Sequence, residues 1–322
     1  MKILIVGGAG YVGSHTVKEL VKEHNVIVYD NLETGHEELV DKKAIFVHGD
    51  LADKDKLNSV FKDNKIDVVM HFANHALVAE SVENPSKYFE NNVFNGINLL
   101  DVMVKNNIKK IIFSSSCAVY GIPKEIPIME GHTLNPINPY GESKMMFERI
   151  LRYYDVAHGI KSISLRYFNV AGASLDCTIG EKHDIETHLI PIILDVALGK
   201  KEYMEILGDN YGTYDGTCIR DFVHVVDVAN AHLAALDYLV KNIQTKSYNI
   251  GTGQGYSVKE IIELCKQITG REIKILIKEK RKGDPPVLVA NSDRFNEEIG
   301  WNAKFSITDM IQHAWNWHQK NN

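Results

Sequence analysis

The chain has 322 residues, 44% of them hydrophobic and 24% charged, enough apolar material for one large α/β unit or a nucleotide-binding unit with a smaller companion. Its 36 Lys and Arg against 42 Asp and Glu leave a net charge of −6, and the basic residues are scattered, so neither a nucleic-acid nor a membrane surface has electrostatic support. The 4 cysteines, Cys117, Cys177, Cys218 and Cys265, stand far apart with no Cys-x-x-Cys pair, which predicts a reducing, cytoplasmic setting and argues against a zinc ribbon.

The opening Met1-Lys-Ile-Leu-Ile-Val-Gly7 is too short an apolar run for a signal peptide and reads as a first buried strand. Similar runs recur at 26–29, 45–47, 68–71, 111–114 and 162–166, too continuously apolar for a sheet wetted on one face. Helical patterns near 12–23, 53–62, 85–106 and 140–157 lie between them. This alternation predicts an α/β fold, a doubly wound parallel sheet of the Rossmann type with right-handed crossovers. Past residue 168 the alternation loosens. Helices are expected near 188–199 and 257–268, the second opened by the capping box Ser257-Val-Lys-Glu260, with loops at 208–216 and 281–286. We assign 1–168 to a dinucleotide-binding domain with a return at 219–252, and 169–322 to a smaller C-terminal substrate-binding domain. No apolar run is long enough to span a bilayer.

Gly7, Gly10 and Gly13 form Gly-x-x-Gly-x-x-Gly directly after the first strand and at the start of a helix. Glycine suits the turn's dihedrals and lets the backbone approach a pyrophosphate, whose charge then meets the helix N-terminus. Asp30, closing the second strand, is placed to accept hydrogen bonds from adenosine ribose hydroxyls and to repel a 2′-phosphate. No Lys or Arg follows it in Asp30-Asn31-Leu-Glu-Thr-Gly35, so NAD is expected rather than NADP. Asp50-Leu51, after the third strand, could hold the adenine, or Asp50 could be a helix N-cap. Gly251-Thr-Gly253-Gln-Gly255 lacks the spacing and the downstream acid, and reads as a structural loop.

Tyr-x-x-x-Lys occurs twice. Gly121 and Pro123 interrupt the pair Tyr120/Lys124, whereas Pro139 suits a helix start and places Tyr140 and Lys144 one turn apart on a continuous helix. A phenol titrates near ~10, and an ammonium about 4 Å away could supply the roughly 4 kcal/mol that its base form needs. Tyr140 is therefore the expected proton-transfer group and Lys144 its electrostatic support. Ser116, ending the run Ser114-Ser115-Ser116 after the fifth strand, is expected to orient a substrate hydroxyl and steady alkoxide-like charge, although a serine run there also suits loop chemistry. The spacing of His71 and His75 mimics a metal pair, but it straddles a strand end without a third ligand, so no metal is expected.

These motifs, together with His71-Phe-Ala, Phe113-Ser-Ser-Ser116, Leu165-Arg-Tyr-Phe-Asn169, His188-Leu-Ile-Pro191, Asp215-Gly-Thr-Cys-Ile-Arg-Asp221 and Arg281-Lys-Gly-Asp284, resemble the extended short-chain dehydrogenase/reductase superfamily over nearly the whole chain. Within it the likeness is to the UDP-glucose 4-epimerase family. The resemblance implies that Tyr11 and Val12 lie over the NAD pyrophosphate. It also implies that Asn31, Phe72, Ala73, Asn91, Ser114 and Phe168 flank the cofactor alongside Tyr140 and Lys144. It further implies that Asn169, His188, Leu189, Arg220, Arg281 and Asp284 line a UDP-sugar site shared with Ser116 and Tyr140. Arginine suits that role because its planar fork binds diphosphate oxygens bidentately.

The implied reaction interconverts UDP-galactose and UDP-glucose. Tyr140 takes the proton of the sugar 4-hydroxyl as hydride leaves C4 for a tightly held NAD⁺, and the 4-keto sugar turns and is reduced on its other face. A homodimer is usual for the family. Two departures stand out: Ala76 occupies a position where members carry Lys, and Leu288 is bulky at the position that gates space around the sugar C2 substituent, which implies UDP-glucose and UDP-galactose rather than N-acetylated forms. Other readings share the fold. A nucleotide-sugar dehydratase or decarboxylase would carry an acid just after the catalytic Ser/Thr, where this chain has Cys117 and Ala118. A 4-epimerase of UDP-glucuronate stays open, and a non-catalytic NAD-sensing regulator would typically have lost the tyrosine.

Overall fold

The computed structural model describes residues 1–280 and 284–321. Seven parallel strands form the main sheet, in the order Lys246–Ile250, Lys161–Tyr167, Lys110–Ser116, Val68–His71, Lys2–Val6, Asn25–Asp30 and Ile45–His48. Register is set by apolar residues on both faces: Ile3 pairs with Val26 on one side and with Val68 on the other. Because side chains alternate along a strand, each strand feeds two cores. Ile3, Ile5, Val28, Met70 and Ile163 join the core that includes Val17 and Leu20 of helix Tyr11–Leu20 and Val228, Ala231 and Ala235 of helix Val225–Asn242. Leu4, Val6, Ile27, Val69 and Phe113 pack with Leu57, Leu99 and Phe147 from helices Lys54–Asn64, Gly96–Lys105 and Pro139–His158. The doubly wound sheet expected from the alternation is thus present.

The stretch expected as one helix over 85–106 is segmented. Pro85–Phe89 leads through a π-helical turn, Glu90–Asn95, into Gly96–Lys105. A separate short helix, Val78–Glu83, precedes it. Gly96 lets this element press on helix Pro139–His158, since a Cβ there would lie 2.4 Å from the Phe147 ring.

The remaining strands build a smaller layer. Ile219–His224 is the centre of a second sheet, antiparallel to Gly255–Ser257 and parallel to Val287–Leu288 and Asn169–Ala171. Met204–Leu207 pairs with Ile275–Lys278. Ile190, Ile193, Phe222, Ile261, Ile262 and Trp315 form the core of this layer. Within the stretch 219–252, helix Val225–Asn242 packs on the main sheet and Lys246–Ile250 is its outer strand, whereas Ile219–His224 belongs to the small sheet. The expected capping box at Ser257 is formed, with the Ser257 amide donating to Glu260 Oε2 at 2.8 Å. Among the described residues, no helix is long and apolar enough to cross a membrane.

Candidate active site

A cleft of about 1650 Å³ runs along the carboxyl ends of the main strands and under the small layer. That is more room than one drug-sized ligand needs, and matches a dinucleotide with a second nucleotide-sized molecule. The chain order reverses between Lys2–Val6 and Val68–His71, and a doubly wound sheet opens its crevice at such a switch point.

The glycine loop forms one wall. Gly7 has φ +81, and a Cβ on it would sit 2.4 Å from the Ala73 nitrogen; one on Gly13 would sit 2.2 Å from the Gly7 carbonyl oxygen. Both glycines are therefore required by the loop's own packing. Gly10 differs. It caps helix Tyr11–Leu20 without a side-chain hydrogen bond, and an added Cβ would meet only the Gly7 oxygen at 3.7 Å, so its bare backbone borders open cleft. First-turn N–H groups left free beside open space are what a pyrophosphate needs, so these residues fit a dinucleotide.

Asp30, at the end of its strand, accepts from the amides of Ala9 and Leu32 at 2.9 Å each. Burial raises its pKa while these two hydrogen bonds hold it down. Asn31 donates to Asp50 Oδ2 at 2.7 Å, joining two residues assigned to the adenosine end. Asp50 is not a helix N-cap: that role falls to Asp53, whose carboxylate accepts from the Lys56 amide, while Asp50 Oδ1 takes the Ala52 amide in the preceding turn. Leu51, Phe72, Ala73, Ser114 and Phe168 border the cleft with Tyr11 and Val12, as does Ala76. Asn91 does not; it faces a smaller neighbouring hollow with Glu33 and His75 and donates to Asn92 Oδ1 at 3.1 Å.

The reacting groups meet at the centre. Asn138 caps helix Pro139–His158 by accepting from the Gly141 amide at 2.8 Å, with Pro139 at the first helical position, and so Tyr140 is set into the cleft at 9% exposure. Lys144, one turn on, lies 5.7 Å from the centre of the Tyr140 ring and donates to the Ser114 carbonyl at 2.7 Å. Ser116 ends strand Lys110–Ser116, where its hydroxyl accepts from the Ala118 amide at 3.2 Å and lies near enough to the Tyr140 phenol to favour its charged form. The functional and the loop-capping readings of Ser116 therefore coexist.

The electrostatics depart from the sequence argument. Burial pushes the Tyr140 phenol well above its ordinary value, against a lowering by the Ser116 hydroxyl. Burial also lowers Lys144 to about 7, against the pull of Glu148. The chain alone holds the phenol protonated and leaves the amine only partly charged near neutrality, so the ammonium does not by itself make Tyr140 a base.

Glu148 and Arg166 were not anticipated as part of the support. Arg166 Nη2 lies 2.5 Å from Glu148 Oε2 with both side chains 2% exposed, and Ser115 donates to the same carboxylate at 2.6 Å. The signal available was the i, i+4 placement of Lys144 and Glu148 on one helix face. Tyr120, rejected as a catalytic group, lies in this network: it accepts from Arg166 Nη1 at 2.9 Å and donates to Asn249 at 2.7 Å.

On the opposite wall Arg220 pairs with Asp284 at 2.7 Å, and both border the cleft with Asn169, His188, Leu189 and Leu288. Asp284 thus orients the guanidinium. Leu288 closes a cluster with Val119, Met145 and Phe168. His188 Nδ1 is turned toward Glu181 and Glu186, at 2.8 and 3.0 Å, which commits that nitrogen to its own loop. Arg281 lies outside the described residues. The glycines at 251–255 are a loop around Asp221, whose carboxylate takes the Thr252, Gly253 and Ala290 amides at 2.9 to 3.1 Å. His71 is buried and held neutral, lowered to about 3 by burial and then by Lys144, while the His75 amide is tied to Asn92 at 2.9 Å.

Comparison with known proteins agrees with this geometry. Residues 3–251 match the model of the NAD dependent epimerase/dehydratase family. A UDP-glucose 4-epimerase of Lactobacillus helveticus is 51% identical over 321 residues, 99% of this chain and 97% of that one. The crystal structure of UDP-glucose 4-epimerase from Brucella ovis in complex with NAD superposes with a TM-score of 0.95 at 43% identity, covering 98% of this chain and 97% of that one. The enzyme from Bifidobacterium longum in complex with NAD⁺ and UDP gives 0.95 at 40% identity, covering 100% and 99%. The chain belongs to the NAD dependent epimerase/dehydratase family.

Proposed function

We propose that the protein is an NAD-dependent UDP-glucose 4-epimerase, interconverting UDP-galactose and UDP-glucose through a transient 4-keto sugar. The observation that carries this reading is the convergence of Ser116, Tyr140 and Lys144 in one cleft, between the Gly7–Gly13 loop and the Arg220–Asp284 pair. Gly7, Gly10, Gly13, Asp30 and the walls at Phe72, Ala73 and Phe168 would hold the dinucleotide. Bound NAD⁺ supplies the hydride acceptor and a positive charge that favours phenolate. The chain does the rest: Tyr140 takes and returns the proton of the sugar 4-hydroxyl, and Ser116 orients that hydroxyl and steadies the oxyanion. Lys144, placed by the Ser114 carbonyl, adds charge when protonated, and Arg220 grips the diphosphate.

The residue after Ser116 counts against elimination chemistry. Burial raises the Cys117 thiol to about 12, so no acid or base stands there at neutral pH. The test is to incubate purified protein with UDP-galactose, without added NAD, and measure UDP-glucose. Absence of product with or without added NAD would remove the proposal. A cytoplasmic setting is supported by 4 free cysteines. A homodimer is supported by exposed apolar residues on two helical elements: Phe94 in the turn Glu90–Asn95, 62% exposed, and Tyr153 and Val156 in helix Pro139–His158, 74% and 88%. Val156→Glu should shift sedimentation toward the monomer if that face is the interface.

A further inference from the structure

Past strand Val68–His71 the chain lies outside the sheet, so its backbone polar groups need other partners. The Phe72 and Ala73 amides donate to the Val6 carbonyl at 2.7 and 3.1 Å. Beyond them His75, Ala76 and Leu77 border the cleft, and side chains from the helical stretch 85–95 take over. Asn92 Oδ1 accepts from the His75 amide at 2.9 Å, and its Nδ2 donates to the His75 carbonyl at 3.0 Å. One turn earlier, the Tyr88 hydroxyl oxygen lies 3.0 Å from the Leu77 nitrogen and 2.6 Å from the Leu77 carbonyl oxygen. Both side chains are fully buried. The same two residues reach toward the reacting groups. Asn92 Nδ2 also donates to Ser143 Oγ at 3.0 Å, and Ser143 donates on to the Tyr140 carbonyl at 2.7 Å. The Tyr88 ring meets the Tyr140 ring edge-on at 6.5 Å between centres. With Asn91 donating to Oδ1 at 3.1 Å, all four hydrogen-bonding positions of the Asn92 amide are taken.

We propose that Asn92 is a positioning residue for the reaction. Through Ser143 it fixes the helical turn that carries Tyr140, and through His75 it fixes a stretch of the cofactor wall, so that the phenol and the dinucleotide keep one spacing. Asn92 does not itself border the cleft, so it acts only through these neighbours. A fully satisfied buried network of this kind is rigid, because each bond that it gives up leaves a polar group without water. Rigidity matters at this place: a displacement of about 1 Å between reacting groups costs on the order of 10²-fold in rate. The π-helical turn Glu90–Asn95 carries Asn92, and turns of that kind recur at functional sites. The role rests on the epimerase reading above and concerns what holds Tyr140 rather than what reacts.

The test compares the full chain carrying its own NAD with Ser143→Ala and Asn92→Ala. Ser143→Ala cuts only the arm to Tyr140 and leaves both Asn92 bonds to His75 in place. Turnover of UDP-galactose is expressed per bound NAD, which takes unfolded chains out of the count, and KM is measured alongside. The expected kcat is about tenfold lower in Ser143→Ala and about 100-fold lower in Asn92→Ala, with KM within about threefold of the parent because the wall at Arg220 is untouched. A merely structural Asn92 would lower the melting temperature and the NAD-loaded fraction while kcat per bound NAD stayed at the parent value. That result, or a loss confined to KM, would overturn the proposal. Should Asn92→Ala not fold, Ser143→Ala alone decides. A parent without turnover removes the epimerase reading and this role with it, whereas variants that turn over like an active parent remove only this role.

Discussion

Lys144→Met should make the protein more stable at pH 7 and less stable at pH 10. Lys144 is buried, and its folded-state pKa is lowered from 10.5 to about 7 by burial, with Glu148 opposing. An unfolded chain therefore takes up a proton at this position between about pH 7 and 10.5, and stability contributed by the group rises with pH across that window. Over the full shift, burying the ammonium costs about 4 kcal/mol at pH 7 and about 1 kcal/mol or less by pH 10. Methionine keeps the length of the side chain but abandons the Ser114 carbonyl, to which Lys144 donates at 2.7 Å. Leaving that acceptor unsatisfied costs roughly 1–3 kcal/mol at any pH. The balance is a gain of about 1–3 kcal/mol at pH 7 that reverses by pH 10, together with loss of turnover. Urea unfolding of cofactor-stripped protein at several pH values measures it, since a bound dinucleotide brings its own charges. A variant destabilised equally at pH 7 and pH 10 would refute the buried-amine account.

Tyr140→Phe removes the hydroxyl proposed to carry the proton at the centre of the cleft, and should lower kcat by about 10²–10⁴ with NAD still bound, as read by absorbance of the purified protein; a rate within a factor of ten of the parent would reject the role. Glu148→Ala strands the Arg166 guanidinium, which is 2% exposed, and should reduce unfolding free energy by about 3–5 kcal/mol in urea at constant m. A loss below about 1 kcal/mol would mean that water reaches the arginine. Leu288→Ala opens the cluster beside Phe168, and should raise the kcat/KM of UDP-N-acetylglucosamine relative to UDP-glucose by about tenfold or more, while costing about 2 kcal/mol of stability. An unchanged ratio would show that the C2 substituent lies elsewhere.

The strands were legible because burial on both faces writes itself as continuous apolar runs, and the glycine loop because Gly7 and Gly13 sit where any Cβ would strike backbone. The Tyr140 helix was legible from Pro139 and the unbroken pattern after it. The π-helical turn at Glu90–Asn95 was not, because no local residue pattern marks it, and the helix it leads into is met at Gly96 by Phe147 from a helix remote in sequence. Asp50 was read with two alternatives because the true N-cap, Asp53, is an equally good capping residue nearby.

Local chemistry thus carried the fold class, the dinucleotide loop and the choice of Tyr140 over Tyr120, since each depends on neighbours within a turn or a strand. Tertiary structure alone decided the protonation of Tyr140 and Lys144, the Glu148–Arg166 brace, the pairing of Arg220 with Asp284 and the link from Asn92 through Ser143 to Tyr140. Desolvation and charge pairing act through space, between residues that the linear order keeps apart.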